Sequence, residues 1–105
     1  MRSTMDKPRP SPLATRMLAD FGAEVIKIEA GRYPDWWRSV DWSTDAIARK
    51  QYEESRSFSA LNRGKKSVSL DLTQETGRSL AKALVEHADV IVENQAAGVM
   101  QRLGL

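Results

Sequence analysis

The sequence predicts an α/β domain built on a partial parallel sheet. Three observations carry this: a helical apolar pattern that turns through a glycine into "AEVIKIE", an alternating run, "KSVSLDL", and a second helical pattern that ends in "ADVIVEN". Helix period giving way to short Val/Ile-rich runs is the signature of α/β units.

The first dozen residues, with Pro8, Pro10 and Pro12, read as an extended lead-in over residues 1–12 whose last proline can open a helix. From Leu13, the residues Ala14, Met17, Leu18 and Phe21 follow at offsets that share one helix face, and Gly22 supplies a left-handed stop. Ala23–Glu29 then reads as a strand. Residues 30–57 contain all three tryptophans and read as an irregular loop with a short helix around Asp45–Glu54. Trp36, Trp37 and Trp42 suit either the cover of an apolar surface or the wall of a ligand site. The last unit is a strand over Lys66–Leu72, a helix over Gln74–His87 and a strand over Ala88–Glu93, with Asp71 and Thr73 placed as helix-capping oxygens and Glu75 in the first turn. Such a βαβ crossover is right-handed, and ligands collect beyond the carboxyl ends of its strands. His87, the single histidine, reads as a structural cation at the helix end.

Composition excludes several classes. Sixteen basic and fourteen acidic residues leave a net charge of +2, with no basic stripe to bind nucleic acid. There is no cysteine, hence no disulfide, thiolate nucleophile or Cys-based metal site. No stretch approaches the ~18 apolar residues of a membrane span, and the opening lacks the core of a signal peptide, so the chain reads as soluble and cytoplasmic. "GKKS" invites comparison with a phosphate-binding loop. That loop needs a glycine five positions earlier, where Ser59 stands, and it leaves a strand, whereas this run feeds one. Arg63, Lys65 and Lys66 therefore read as a basic turn.

"LATRMLADFGAEVIKIE", "SALNRGKKSVSLDLTQETGRSLAKALVEHADVIVEN" and "AGVMQRLGL", in this order and spacing, resemble the amino-terminal part of the family III CoA-transferases. This CaiB/BaiF type includes formyl-CoA and carnitine-CoA transferases and α-methylacyl-CoA racemase. The resemblance implies that residues 13–105 are part of a large Rossmann-like domain, in a protein whose chains interlock as dimers. It implies transfer of CoA between carboxylic acids through an aspartyl-CoA or mixed-anhydride intermediate, with the CoA thioester as substrate and no resident cofactor. A carboxylate suits that reaction because its attack on a thioester gives an anhydride that the departing thiolate can re-enter. Racemase members instead deprotonate the carbon beside the thioester.

Position by position, the resemblance implies CoA contacts at Leu70 and Thr73 after the second strand, at Asn94, Gln95 and Ala96 after the third, and at Arg102 of "RLGL". Arg32 stands in for an arginine that some members carry directly after the first strand seen here, where this chain has Ala30. Two departures accompany the match. "MRSTMDKP" replaces the family's opening strand, and none of Asp6, Asp20, Asp35, Asp41, Asp45, Asp71 or Asp89 matches the nucleophilic aspartate. The expectation is an amino-terminal fragment, inactive alone, that self-associates or completes a second chain.

Overall fold

The computed structural model describes residues 10–31, 35–38, 44–95 and 97–105. Helix α1 spans Pro10–Asp20, three residues ahead of the expected start. Prolines suit this first turn because the N–H they lack would have had no intrahelical partner. The stop is as expected. Gly22 has φ of 100°, Ala23 N–H donates to the Leu18 carbonyl and Gly22 N–H to the Ala19 carbonyl, each at 3.0 Å. This is the paired closure of a Schellman cap.

Strand β1, Ile26–Glu29, lies parallel to β2, Lys66–Ser69, with Ile26 opposite Lys66 and Ile28 opposite Val68. Both are shorter than the runs that predict them. Between them lie α2, Thr44–Ala48, a 3-10 turn over Gln51–Glu53, and α3, Arg56–Asn62. Helix α3 falls where the sequence reads as loop and turn. Ser55 caps it, accepting from Phe58 N–H at 3.2 Å.

Alternation along the strands gives the two sheet faces different chemistry. Lys27 reaches the ring of Phe58 in α3, and Lys65, just ahead of β2, donates to Asn62 in α3 and to the Pro12 carbonyl in α1. Helices α1 and α3 pack together on that side. Val68 and Leu70 point the other way and line an apolar groove with Leu80, Ala83, Leu84 and His87 of the following helix.

That helix, α4, runs over Glu75–Glu86, with Glu75 in its first turn and His87 as its C-cap. The expected capping oxygens do not cap it. Gln74 is the N-cap without a side-chain bond, while Asp71 Oδ1 accepts from Thr73 N–H at 2.9 Å and Thr73 Oγ1 at 2.6 Å. A carboxylate two residues ahead of an N–H closes this local turn in preference to the helix end. Gly77 is buried where α4 crosses the turn, and a β-carbon there would lie 2.0 Å from the Asp71 carbonyl oxygen.

The strand expected over Ala88–Glu93 does not form, so the βαβ crossover is not closed. Among the described residues the sheet has two strands only, and Val90, Ile91 and Val92 are 70%, 60% and 46% exposed. A buried parallel strand takes its hydrogen bonds from neighbours, so apolar composition alone cannot make one. The last helix, α5, covers Val99–Arg102. No described helix is long and apolar enough to cross a membrane.

Candidate functional site

Because β1 and β2 are parallel, their carboxyl ends open on the same side. A methyl built on Gly31 would meet Ser69 Oγ at 3.8 Å, so the two outgoing loops leave side by side. The second, Leu70–Gln74, is held at several points. Leu70 N–H donates to the Glu29 carbonyl at 3.1 Å, the Asp71 turn fixes Thr73, and Arg78 from α4 donates to the carbonyls of Thr73 at 2.9 Å and Leu72 at 3.3 Å.

The first loop is anchored by an ionic network that sequence reading missed. Arg38, 7% exposed, donates from Nε to Glu29 Oε1 at 2.7 Å and from one terminal nitrogen to Glu53 Oε2 at 3.3 Å. Its guanidinium carbon stacks 3.7 Å from the centre of the Phe58 ring. Glu29 Oε2 accepts from Asp35 N–H at 3.0 Å, Asp35 pairs with Lys27 at 2.5 Å, and Ser55 Oγ donates to the Trp37 carbonyl at 2.6 Å. The 3-10 turn Trp36–Arg38 is thus strapped to the end of β1 and to α3. The tryptophan reading fares differently at each position: Trp37 is half-buried and its carbonyl accepts from Ser55, while Trp42 and the Trp36 side chain lie outside the described residues. The legible signal is the serine ahead of "RSFSALN", an N-cap residue for the helix that carries Phe58.

Leu70 is half-buried at the end of β2, and Thr73 is exposed in the adjoining turn with its hydroxyl on Asp71. Asn94 and Gln95 are exposed beyond α4, with Gln95 N–H donating to Glu93 at 2.8 Å, and Arg102 is exposed at the end of α5. No described hydrogen bond joins these positions into one cluster. Ala96 and Arg32 lie outside the described residues.

The basic turn serves the other end of the sheet. Arg63 grips Asp20 through Nε and a terminal nitrogen at 3.0 and 2.8 Å, and Lys66 pairs with Glu24. Hydrogen bonding to Arg63, with its charge adding, holds the Asp20 carboxyl below its ordinary range and raises the Arg63 guanidinium. These cations stand at the amino end of β2 and tie it to α1 and β1.

Parallel strands whose carboxyl ends open beside a helix start define the ligand-binding end of an α/β protein. A family model described as CoA-transferase family III matches residues 9–105, and the chain belongs to that family. It is 39% identical over 101 residues to an acyl-CoA transferase of Fusarium pseudograminearum, covering 90% of this chain and 21% of that protein. It is 38% identical over 95 residues to a succinyl-CoA–D-citramalate CoA-transferase of Chloroflexus aurantiacus, covering 90% of this chain and 22% of that protein. Against a formyl-CoA:oxalate CoA-transferase of Afipia carboxidovorans the identity is 37% over 98 residues, 89% of this chain and 20% of the relative. The chain therefore spans about a fifth of the length of these relatives. No solved structure gives a significant match.

Proposed function

We propose that this chain supplies part of the CoA-binding end of a transferase that moves CoA between carboxylic acids, and does not complete the reaction by itself. The observation that carries this reading is the pinned turn Leu70–Gln74 at the carboxyl end of a parallel pair, in a chain matched by the family over residues 9–105. Residues 13–105, with α1 reaching back to Pro10, belong in this reading to a large Rossmann-like domain. Leu70, Thr73, Asn94, Gln95 and Ala96 line the CoA path, and Arg102 meets a phosphate.

Handedness supports the Rossmann-like order. Helices α1 and α3 share a face, and α3 carries the chain from β1 across to β2. Right-handed crossovers on one face all step in one direction, so a strand leading into α1 belongs on the open edge of β1. Helix α4 lies on the other face, so in this reading it steps back and leads Val90–Val92 to a position beyond that strand. One strand would therefore pair with β1 and with residues 89–93 together. Among the described residues that edge of β1 has no partner strand, and together with exposed Val90 and Ile91 it favours association. Light scattering on the isolated chain at micromolar concentration should show oligomers, and a monomer with a cooperative melt would contradict this.

Arg102 tests the ligand. Guanidinium can give a phosphate two parallel hydrogen bonds. Calorimetric titration should show CoA binding that Arg102→Ala weakens by about 1.5–3 kcal/mol, the worth of a hydrogen bond to a charged group. The loss should shrink as salt rises. Equal losses with CoA and dephospho-CoA place the contact on the pyrophosphate, and a loss confined to CoA places it on the 3′-phosphate. Unchanged affinity for both returns Arg102 to a solvated helix residue.

A further inference from the structure

Helix α4 opens with Glu75, Thr76, Gly77 and Arg78, and the last two suit a helix start poorly. Only proline forms helix less readily than glycine, and a cation in the first turn faces the positive end of the helix dipole. Adjacent residues that break local rules have their cause elsewhere in the fold. Here both are directed at one turn. The absent side chain of Gly77 lets α4 close on the Asp71 carbonyl, and half-buried Arg78 reaches the next two carbonyls along the chain.

Each peptide unit of that turn is held from both edges. In the unit joining Leu72 and Thr73, the carbonyl accepts from Arg78 Nη1 at 3.3 Å and the N–H donates to Asp71 Oδ1 at 2.9 Å. In the unit joining Thr73 and Gln74, the carbonyl accepts from the same nitrogen at 2.9 Å and the N–H donates to the Asp71 carbonyl at 3.1 Å. The first unit thus has a guanidinium on its oxygen side and a carboxylate on its hydrogen side. Its dipole bridges opposite charges, and each hydrogen bond strengthens the other.

We propose that Arg78 is a positioning residue for CoA: through the carbonyls of Leu72 and Thr73 it fixes the planes of both peptides, and with them the places at which Leu70 and Thr73 meet the ligand. The proposal rests on the reading that this turn faces CoA. Without the cation both peptides are free to rotate, and a ligand must order the turn as it binds, which lowers its affinity. The turn requires one cationic nitrogen with two hydrogens to give, and a lysine ammonium also has these. A phosphate gripped directly by the guanidinium requires instead the planar fork that lysine lacks.

Calorimetric titration with CoA of the wild-type chain, Arg78→Met and Arg78→Lys tests this, with thermal melts and amide hydrogen exchange read on the same proteins. Methionine keeps most of the stem and removes the donors, so CoA should bind about tenfold more weakly or worse, as for loss of a hydrogen bond to a charged group. The Thr73 and Gln74 amides should exchange faster in Arg78→Met while amides in the middle of α4 keep their protection. Lysine should recover most of the affinity and of the turn protection. The ratio of wild-type to Arg78→Met affinity should hold as salt rises, because the turn rather than a phosphate contact has been disturbed. A folded Arg78→Met that binds CoA as tightly as the wild type would overturn the proposal. So would an Arg78→Lys that binds no better than Arg78→Met, which is how a direct phosphate contact behaves. Arg78→Lys also guards against a methionine variant that fails to fold, since about a tenfold loss in the folded lysine variant overturns the proposal by itself. A wild-type chain that takes up no CoA removes the reading under which the turn faces CoA and this proposal with it, whereas equal binding by wild type and Arg78→Met removes this proposal alone.

Discussion

Gly77→Ala is expected to destabilise the chain by about 3 kcal/mol, at the upper end of overpacking costs. In a helix interior this exchange ordinarily stabilises by about 1 kcal/mol, so the sign of the effect is diagnostic. A β-carbon on Gly77 would stand 2.0 Å from the Asp71 carbonyl oxygen and 2.7 Å from its carbon. Both are backbone atoms and cannot swing aside as a side chain would. Relief requires α4 to lift off the turn, which costs the Arg78 bonds to Leu72 and Thr73 that hold the proposed CoA-facing loop. Thermal melts followed by circular dichroism should drop by roughly 12–24 °C for a domain of this size. Ala83→Gly, at an exposed position of the same helix, should cost only about 1 kcal/mol. A Gly77→Ala protein that melts at or above the wild-type temperature would show that α4 does not approach the turn this closely.

The elements that could be read from sequence are those whose cause is local. The end of α1 is set by one residue, because the left-handed conformation at Gly22 closes two backbone bonds at once. Helix α4 could be read from the spacing of Leu80, Ala81, Leu84 and Val85, which repeats with the helix period. The failures have non-local causes. "ADVIVEN" has the composition of a buried strand, but burial belongs to the neighbours a segment finds, and Ile91 finds none among the described residues that would cover it. Helix α3 is seven residues long and polar in four of them, too short to hold by propensity, and it stands on Ser55 and on the stacking of Phe58 under Arg38. The same separation divides the candidate site. That Leu70 lies near the end of a strand and Thr73 just beyond it could be read from alternation, whereas the use of the Thr73 hydroxyl by Asp71, and the role of Gly77 in fixing their turn, depend on how α4 returns across the strand end.

Arg38→Ala should cost about 3–5 kcal/mol, the range for removing one partner from a buried ion pair, because Glu29 would keep its charge without a cation at 2.7 Å. Both side chains are mostly shielded from solvent, whereas Glu53, the second carboxylate on Arg38, is more than half exposed and adds little. Arg38→Lys should fall between, since an ammonium can restore the charge but not the planar stacking on Phe58 together with bonds to Glu29 and Glu53. Pairing Arg38→Met with Glu29→Gln removes both charges while a side-chain oxygen remains for Asp35 N–H, so the double variant should be more stable than Arg38→Met alone. Denaturant midpoints of the four proteins close the cycle. Hydrogen exchange supplies the second readout: Asp35 and Trp37 amides, which donate to Glu29 and Asp35 carboxylates, should lose protection in Arg38→Ala before the amides of α4 do. If the double variant is as unstable as the sum of its parts, Arg38 stabilises the loop by packing on Phe58, and the ionic strap at the end of β1 is not what holds it.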